Sequence, residues 1–141
     1  LYDGDVEAAE GIPPLVAQLK DQIASCDGLL FVTPEYNNSI PGVFKNAIDW
    51  LSRPPADVPR VFKGRPVAIM GTSPGRFGTL LSQTAWMPVV RTLGMNPYYG
   101  SNMYVSDASH VFDAAGHLVD SSVQERLAKF LAGYAAFLAD T

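Results

Sequence analysis

Residues 29–53 read LLFVTPEYNNSIPGVFKNAIDWLSR, and three local patterns follow one another within them. Leu29 to Thr33 is an unbroken apolar run of strand length with no polar alternation, the pattern of a strand covered on both faces in a parallel sheet. Pro34 to Ile40 is a loop bracketed by Pro34 and Pro41, which restrict the backbone where it leaves the strand and where it enters the next element. Pro41 suits the first turn of a helix. Beyond it Val43, Phe44, Ala47, Ile48, Trp50 and Leu51 share one arc, Lys45, Asn46, Asp49, Ser52 and Arg53 share the other, and Pro54 and Pro55 end the pattern.

The same alternation continues in both directions. Upstream, Pro13 and Pro14 open a helix over 14–25 with Leu15, Leu19 and Ile23 at four-residue spacing, closed by Asp27 and Gly28. Downstream, Arg53 to Pro66 carries prolines at 54, 55, 59 and 66 and reads as a surface connection to a strand over Pro66 to Met70. A turn follows at Gly71 to Gly78, then a helix over about 79–93 with Pro88 as a kink or break. Asn96 to Gly100 reads as a short edge strand, and Ser101 to Asp120 as irregular, with a turn at Asp113 to Gly116. The last helix, about 121–138, places Val123, Leu127, Phe130, Leu131, Tyr134, Phe137 and Leu138 on one face. Alternating helices and strands predict α/β layers around a parallel sheet, in which ligands bind beyond the carboxyl ends of the strands. The loops 34–40 and 71–78 are therefore the candidate site.

Composition narrows the function classes. The chain has 141 residues, 48% hydrophobic and 17% charged, enough for a real core. Its net charge of −4 argues against a nucleic-acid partner held by a general basic field. The longest apolar runs, Leu29 to Val32 and Ala135 to Leu138, fall far short of the ~20 residues of a membrane span. Cys26 is the single cysteine, and His110 and His117 are poor provision for a metal, so a reducing, cytoplasmic setting is expected with no metal. The chain opens on Leu1, not Met, which suggests a fragment of a longer protein.

The first loop offers a planar aromatic, Tyr36, two amides, Asn37 and Asn38, and backbone N–H groups beside a helix N-terminus, a combination suited to a flat, partly anionic heterocycle. The same residues also suit an ordinary turn. The second loop, Gly71-Thr72-Ser73-Pro74-Gly75, matches the G-x-S-x-G elbow of serine hydrolases, with Asp107, Asp113, His110 and His117 available later in the chain. Against hydrolysis, Pro74 has no N–H to give an oxyanion hole. Neither phosphate-gripping glycine motif occurs. Cys26, at the end of an amphipathic helix, reads as a packed thiol, and Asn37-Asn38-Ser39 as an incidental glycosylation sequon.

The run from Thr33 to Arg53 closely resembles the signature of the NAD(P)H-dependent FMN reductases, a group that includes bacterial quinone and chromate reductases. The resemblance extends from Leu1-Tyr2-Asp3-Gly4-Asp5-Val6 through the last helix. It implies a flavodoxin-like, doubly wound parallel sheet in three α/β/α layers, homodimers or homotetramers, and tightly bound FMN reduced by NADPH or NADH. Acceptors in such a family are small molecules: quinones, free flavin, azo compounds or chromate. By the same resemblance Pro34, Glu35, Tyr36 and Asn37 would hold and flank the isoalloxazine ring, largely through backbone groups, while Ser73, Pro74 and Gly75 line another side. No side chain would be a catalytic nucleophile, since the flavin carries the chemistry. Two departures stand out: Pro74 where relatives often carry serine, and no counterpart before Leu1 of the family's N-terminal strand, phosphate loop, first helix and second strand. That leaves an N-terminally incomplete single domain with a sheet strand expected to lack one partner. The alternative is a non-enzymatic flavodoxin-like electron carrier or regulatory binding module.

Overall fold

The computed structural model describes all residues, Leu1–Thr141. Four parallel strands form the sheet: β1 (Leu29–Val32), β2 (Pro66–Thr72), β3 (Asn96–Pro97) and β4 (Met103–Val105). β1 pairs with β2 in the register Leu29 to Val67. β3 and β4 both pair with the opposite edge of β2, as one strand interrupted at residues 98–102. The other edge of β1 has no partner within the chain.

Helices α1 (Gly4–Glu10), α2 (Pro14–Ala24), α3 (Gly42–Leu51), α4 (Val58–Val61), α5 (Leu80–Thr92), α6 (Ala108–Val111) and α7 (Ser121–Ala139) complete the chain. One face of the sheet packs against α2 to α5 through Ile23, Phe31, Ile48, Leu51, Phe62 and Trp86. The rings of Phe31, Phe44 and Trp86 meet with centroids 5.1, 5.3 and 4.7 Å apart. The opposite face takes α7 through Val123, Phe130 and Tyr134 against Ala68, Met103 and Val105. The Tyr134 hydroxyl donates to the carbonyls of Leu29 (2.8 Å) and Pro66 (3.1 Å), tying α7 to the start of both long strands. These are the α/β layers the alternation predicts, in the three-layer arrangement the resemblance implies.

Several expectations need correction. β1 is not covered on both faces: Leu30 and Val32 are exposed, because α7 lies over β2 and β4 and leaves that side of β1 open beside an apolar groove of about 300 Å³. On α3, Val43 and Ala47 are exposed, so the buried arc is narrower than the apolar one. Arg53 to Pro66 is more than a surface connection. Its short helix turns Val61 and Phe62 fully into the core, and Lys20, only 2% exposed, donates to the Arg53 carbonyl (2.5 Å) and to the Asp57 carboxylate (2.7 Å). α5 runs through Pro88 unbroken, with Pro88 and Thr84, whose carbonyl loses its donor, both facing outward. The stretch expected to be irregular holds β4 and α6. α1 is a further helix, started by the Asp3 carboxylate accepting from the N–H groups of Asp5 (2.9 Å) and Val6 (3.3 Å).

Candidate functional site

β1 and β2 run side by side to their carboxyl ends, and both candidate loops leave from there. The Thr33 N–H still donates to the Met70 carbonyl (2.9 Å) as the ladder closes. Gly71 stands against Thr33: a Cβ there would lie 1.9 Å from the Thr33 carbonyl oxygen, so the close approach of the two loop roots requires glycine.

Beyond Pro34 the chain folds into a tight turn. Tyr36 and Ser39 exchange backbone hydrogen bonds (3.1 and 3.0 Å), with Asn37 (φ 50°) and Asn38 (φ 61°) in the left-handed region. Two successive positive-φ residues define a type I′ turn, and asparagine tolerates that conformation best after glycine. The turn leaves Tyr36 57% exposed at the mouth of the site. Glu35 points the other way, its carboxylate accepting from the N–H groups of Leu81 and Ser82, each at 2.9 Å, at the start of α5.

The second loop is built from Ser73, buried, and from Pro74 and Gly75, exposed. The Ser73 N–H donates to the Val105 carbonyl (3.0 Å), and its hydroxyl is turned back onto the Gly78 carbonyl. Gly78 (φ 58°) allows the loop to pass against the Val105 backbone, where a Cβ would come within 3.0 Å. A third wall comes from the end of β4. The Ala108 N–H donates to the Ser73 carbonyl (3.3 Å), and Asp107 holds a left-handed backbone (φ 52°). Sequence reading missed this wall, though the apolar triplet Met103-Tyr104-Val105 ahead of Ser106-Asp107 is a strand-and-turn signal of the same kind.

The arrangement does not assemble a hydrolase. The Ser73 hydroxyl has no histidine partner; His117 pairs with Asp113 (3.1 Å) on the surface and His110 faces Ser109 (3.4 Å). Asp113 is held below the usual carboxylate range by the backbone N–H and ring of His117, a turn-forming role. Cys26 is exposed and sits just before β1, at the end of the sheet opposite both loops.

What remains is a pair of loops leaving adjacent strand ends, Pro34, Glu35, Tyr36 and Asn37 on one and Ser73, Pro74 and Gly75 on the other, their roots in contact where Gly71 meets Thr33; the space beside them is the candidate cleft. Among its backbone donors, the N–H groups of Asn37, Gly75 and Arg76 have no partner within the chain. Free peptide donors, carbonyls, an exposed aromatic and the exposed Arg76 side chain, which has no carboxylate partner, suit the edge and face of a flavin ring, which carries several acceptors and one N–H along its pyrimidine edge.

Comparison with known proteins points the same way. Residues 1–110 match the family model described as NADPH-dependent FMN reductase. An NAD(P)H-dependent FMN reductase of Pseudomonas aeruginosa is 46% identical over 125 residues, which are 89% of this chain and 65% of that protein. A 2-hydroxy-1,4-benzoquinone reductase of a Burkholderia species is 40% identical over 140 residues, covering 99% of this chain and 74% of the relative. Among solved structures, the flavoenzyme NAD(P)H:(acceptor) oxidoreductase of Paracoccus denitrificans superposes with a TM-score of 0.84 at 33% identity, over 99% of this chain and 74% of that one. The chain thus spans about two thirds to three quarters of the length of these relatives.

Proposed function

The chain belongs to the NADPH-dependent FMN reductase family, and from that membership we propose that it is a flavodoxin-like, FMN-dependent oxidoreductase. It takes hydride from NADPH or NADH and delivers two electrons to a quinone-type acceptor. Free flavin, azo compounds and chromate are further acceptors in this reading. The observation that carries it is the pairing of two loops at the carboxyl ends of parallel strands, one bearing an exposed tyrosine and both bearing free peptide donors.

In this assignment Pro34, Glu35, Tyr36 and Asn37 form one wall of the ring site and Ser73, Pro74 and Gly75 the other. When bound, FMN would supply the redox chemistry, relaying two electrons from NAD(P)H to a quinone that also takes up two protons. The protein orients and shields. The type I′ turn leaves the Asn37 N–H without a partner in the chain, and the exposed Tyr36 ring offers a flat apolar face. Ser73, with its hydroxyl committed to Gly78, its N–H to Val105 and its carbonyl to Ala108, shapes the loop and lines the ring site by position. A homodimer or homotetramer in the cytoplasm fits the exposed apolar side chains of Tyr36, Val43, Phe77 and Tyr99 and the unpaired Cys26. No helix is long and apolar enough to cross a membrane.

The test is a visible absorbance spectrum of the purified protein, before and after anaerobic NADPH and then benzoquinone. Flavin bands that bleach within seconds and return on adding quinone are expected. Flavin that bleaches only over hours makes the protein a carrier. A protein that neither contains nor takes up FMN refutes the reading.

A further inference from the structure

We propose that Glu35 is a positioning residue, a strut whose carboxylate locks the Tyr36 turn to the N-terminus of α5 and so sets the width of the cleft. The inference rests on the flavin reading for its functional consequence and on hydrogen bonds for its geometry. α5 has no cap of its own: Thr79 precedes it, but the Thr79 side chain makes no capping bond and its hydroxyl instead accepts from the Gln83 amide (2.8 Å). The first N–H groups of a helix need acceptors. Ser82 is fully buried, so water cannot serve its N–H, and Glu35 reaches across 47 residues to do so at 2.9 Å, serving Leu81 at the same distance. A carboxylate there is favoured twice, by charge-assisted bonds and by the positive end of the helix dipole.

The consequence for the loop is as important as that for the helix. Glu35 lies between Thr33, fixed to the sheet, and the turn closed by Tyr36 and Ser39. Neither Asn37 nor Asn38 bonds to any other element, so beyond Thr33 and Pro34 the carboxylate is the turn's hydrogen-bonded tie to α5, the helix into which the second wall runs. A cofactor gripped by peptide groups on both lips needs their separation set before it binds; otherwise binding must order the loop as well. Three variants separate reach from charge. Glu35→Ala removes the strut, Glu35→Asp shortens it by one methylene, and Glu35→Gln keeps an oxygen at the same reach without the charge.

The experiment measures the FMN dissociation constant by quenching of flavin fluorescence, alongside amide hydrogen exchange and melting temperature. Asp120→Ala is the control. It removes a carboxylate cap from α7, where Asp120 accepts from the Val123 N–H at 2.8 Å, away from the cleft. Glu35→Ala and Glu35→Asp are expected to weaken FMN binding about tenfold or more, Glu35→Gln about threefold or less, and Asp120→Ala not at all despite a comparable fall in melting temperature. Unchanged FMN affinity in Glu35→Ala, equal losses in Glu35→Ala and Asp120→Ala, or parental behaviour of Glu35→Asp would each overturn the strut. Should the parent protein bind no FMN, the flavin reading fails, and hydrogen exchange decides the strut on its own. Glu35→Ala must then speed exchange at Tyr36 and Ser39 as well as at Leu81 and Ser82; acceleration confined to the helix overturns it.

Discussion

Gly71→Ala attacks the base of the cleft with a single methyl group. The added Cβ would sit 1.9 Å from the Thr33 carbonyl oxygen, whereas ordinary carbon–oxygen contacts begin near ~3.3 Å, so the two strand ends must part by about 1.4 Å. Both partners are backbone, and no side chain can rotate away. The Thr33 to Met70 bond at 2.9 Å would be stretched beyond use, costing about 1 kcal/mol, and overpacking adds about 1–3 kcal/mol. A less flexible unfolded chain offsets about 0.4–1 kcal/mol, leaving a net loss of about 1–3.6 kcal/mol. With an unfolding entropy of roughly 2.1 cal/mol/K per residue over 141 residues, the melting temperature should fall by about 3–12 °C. Differential scanning calorimetry measures it. Gly42→Ala is the matched control: nothing lies within 4 Å of its Cβ position, so it should melt at or slightly above the parental temperature. FMN affinity should drop in Gly71→Ala and not in Gly42→Ala, since only the former shifts the root of the Tyr36 loop. A Gly71→Ala protein melting within about 2 °C of the parent, or a control equally damaged, would refute the close-approach argument.

Two further substitutions test the packing that holds the site in place. Tyr134→Phe removes the hydroxyl that bridges Leu29 and Pro66 and should cost about 1–2 kcal/mol by denaturant unfolding. Burial raises the Tyr134 pKa, so the neutral phenol stabilises the fold fully below pH ~10 and progressively less above it; the gap between parent and variant should close in alkali. Asp57→Ala strips the buried Lys20 ammonium of its carboxylate and should destabilise by about 2 kcal/mol at neutral pH. The hydrogen bond from Lys20 lowers the Asp57 pKa. That contribution is present above pH ~4 and lost as pH falls, so acid titration of stability should bring parent and variant together; a constant gap counts against the ion pair.

How much of this was legible in the sequence depended on whether a feature was local. The β1, loop and α3 succession could be read because periodicity and two prolines each report on adjacent residues. The two loops at the carboxyl ends of β1 and β2 were likewise placed by local turn signals once the strands were taken as parallel. Exposure of Leu30 and Val32 could not be read, since apolar residues say that burial is favourable without saying what covers them. Val61 and Phe62 were hidden by the prolines around them, whose turn chemistry masked a short helix. The Glu35 cap joins residues 46 and 47 apart, and no spacing rule reaches that far. The Asp113 turn, by contrast, was local and was found.

A polar seam running through an otherwise apolar interface explains why all three walls keep their places. The Thr33 hydroxyl donates to the Pro34 carbonyl (2.8 Å) and lies 3.2 Å from the Ser82 hydroxyl and 3.4 Å from the Trp86 indole nitrogen, which leaves it accepting from both. One residue on, the Gln83 amide donates to the Met103 carbonyl (3.1 Å) at the start of β4. Ser82 and Gln83 are buried, where apolar side chains would also pack. Apolar contacts, however, are non-directional and tolerate sliding, whereas a buried hydrogen bond left unmade costs about 1–3 kcal/mol and so penalises any slip of α5 against the strands. Thr33 carries the first wall, β4 leads into the third, and the second wall runs directly into α5. The helix therefore acts as a beam spanning all three. Glu35 adds the fourth fastening at its end, and a substitution anywhere along the buried side of α5 should be felt in the cleft before it is felt in the fold.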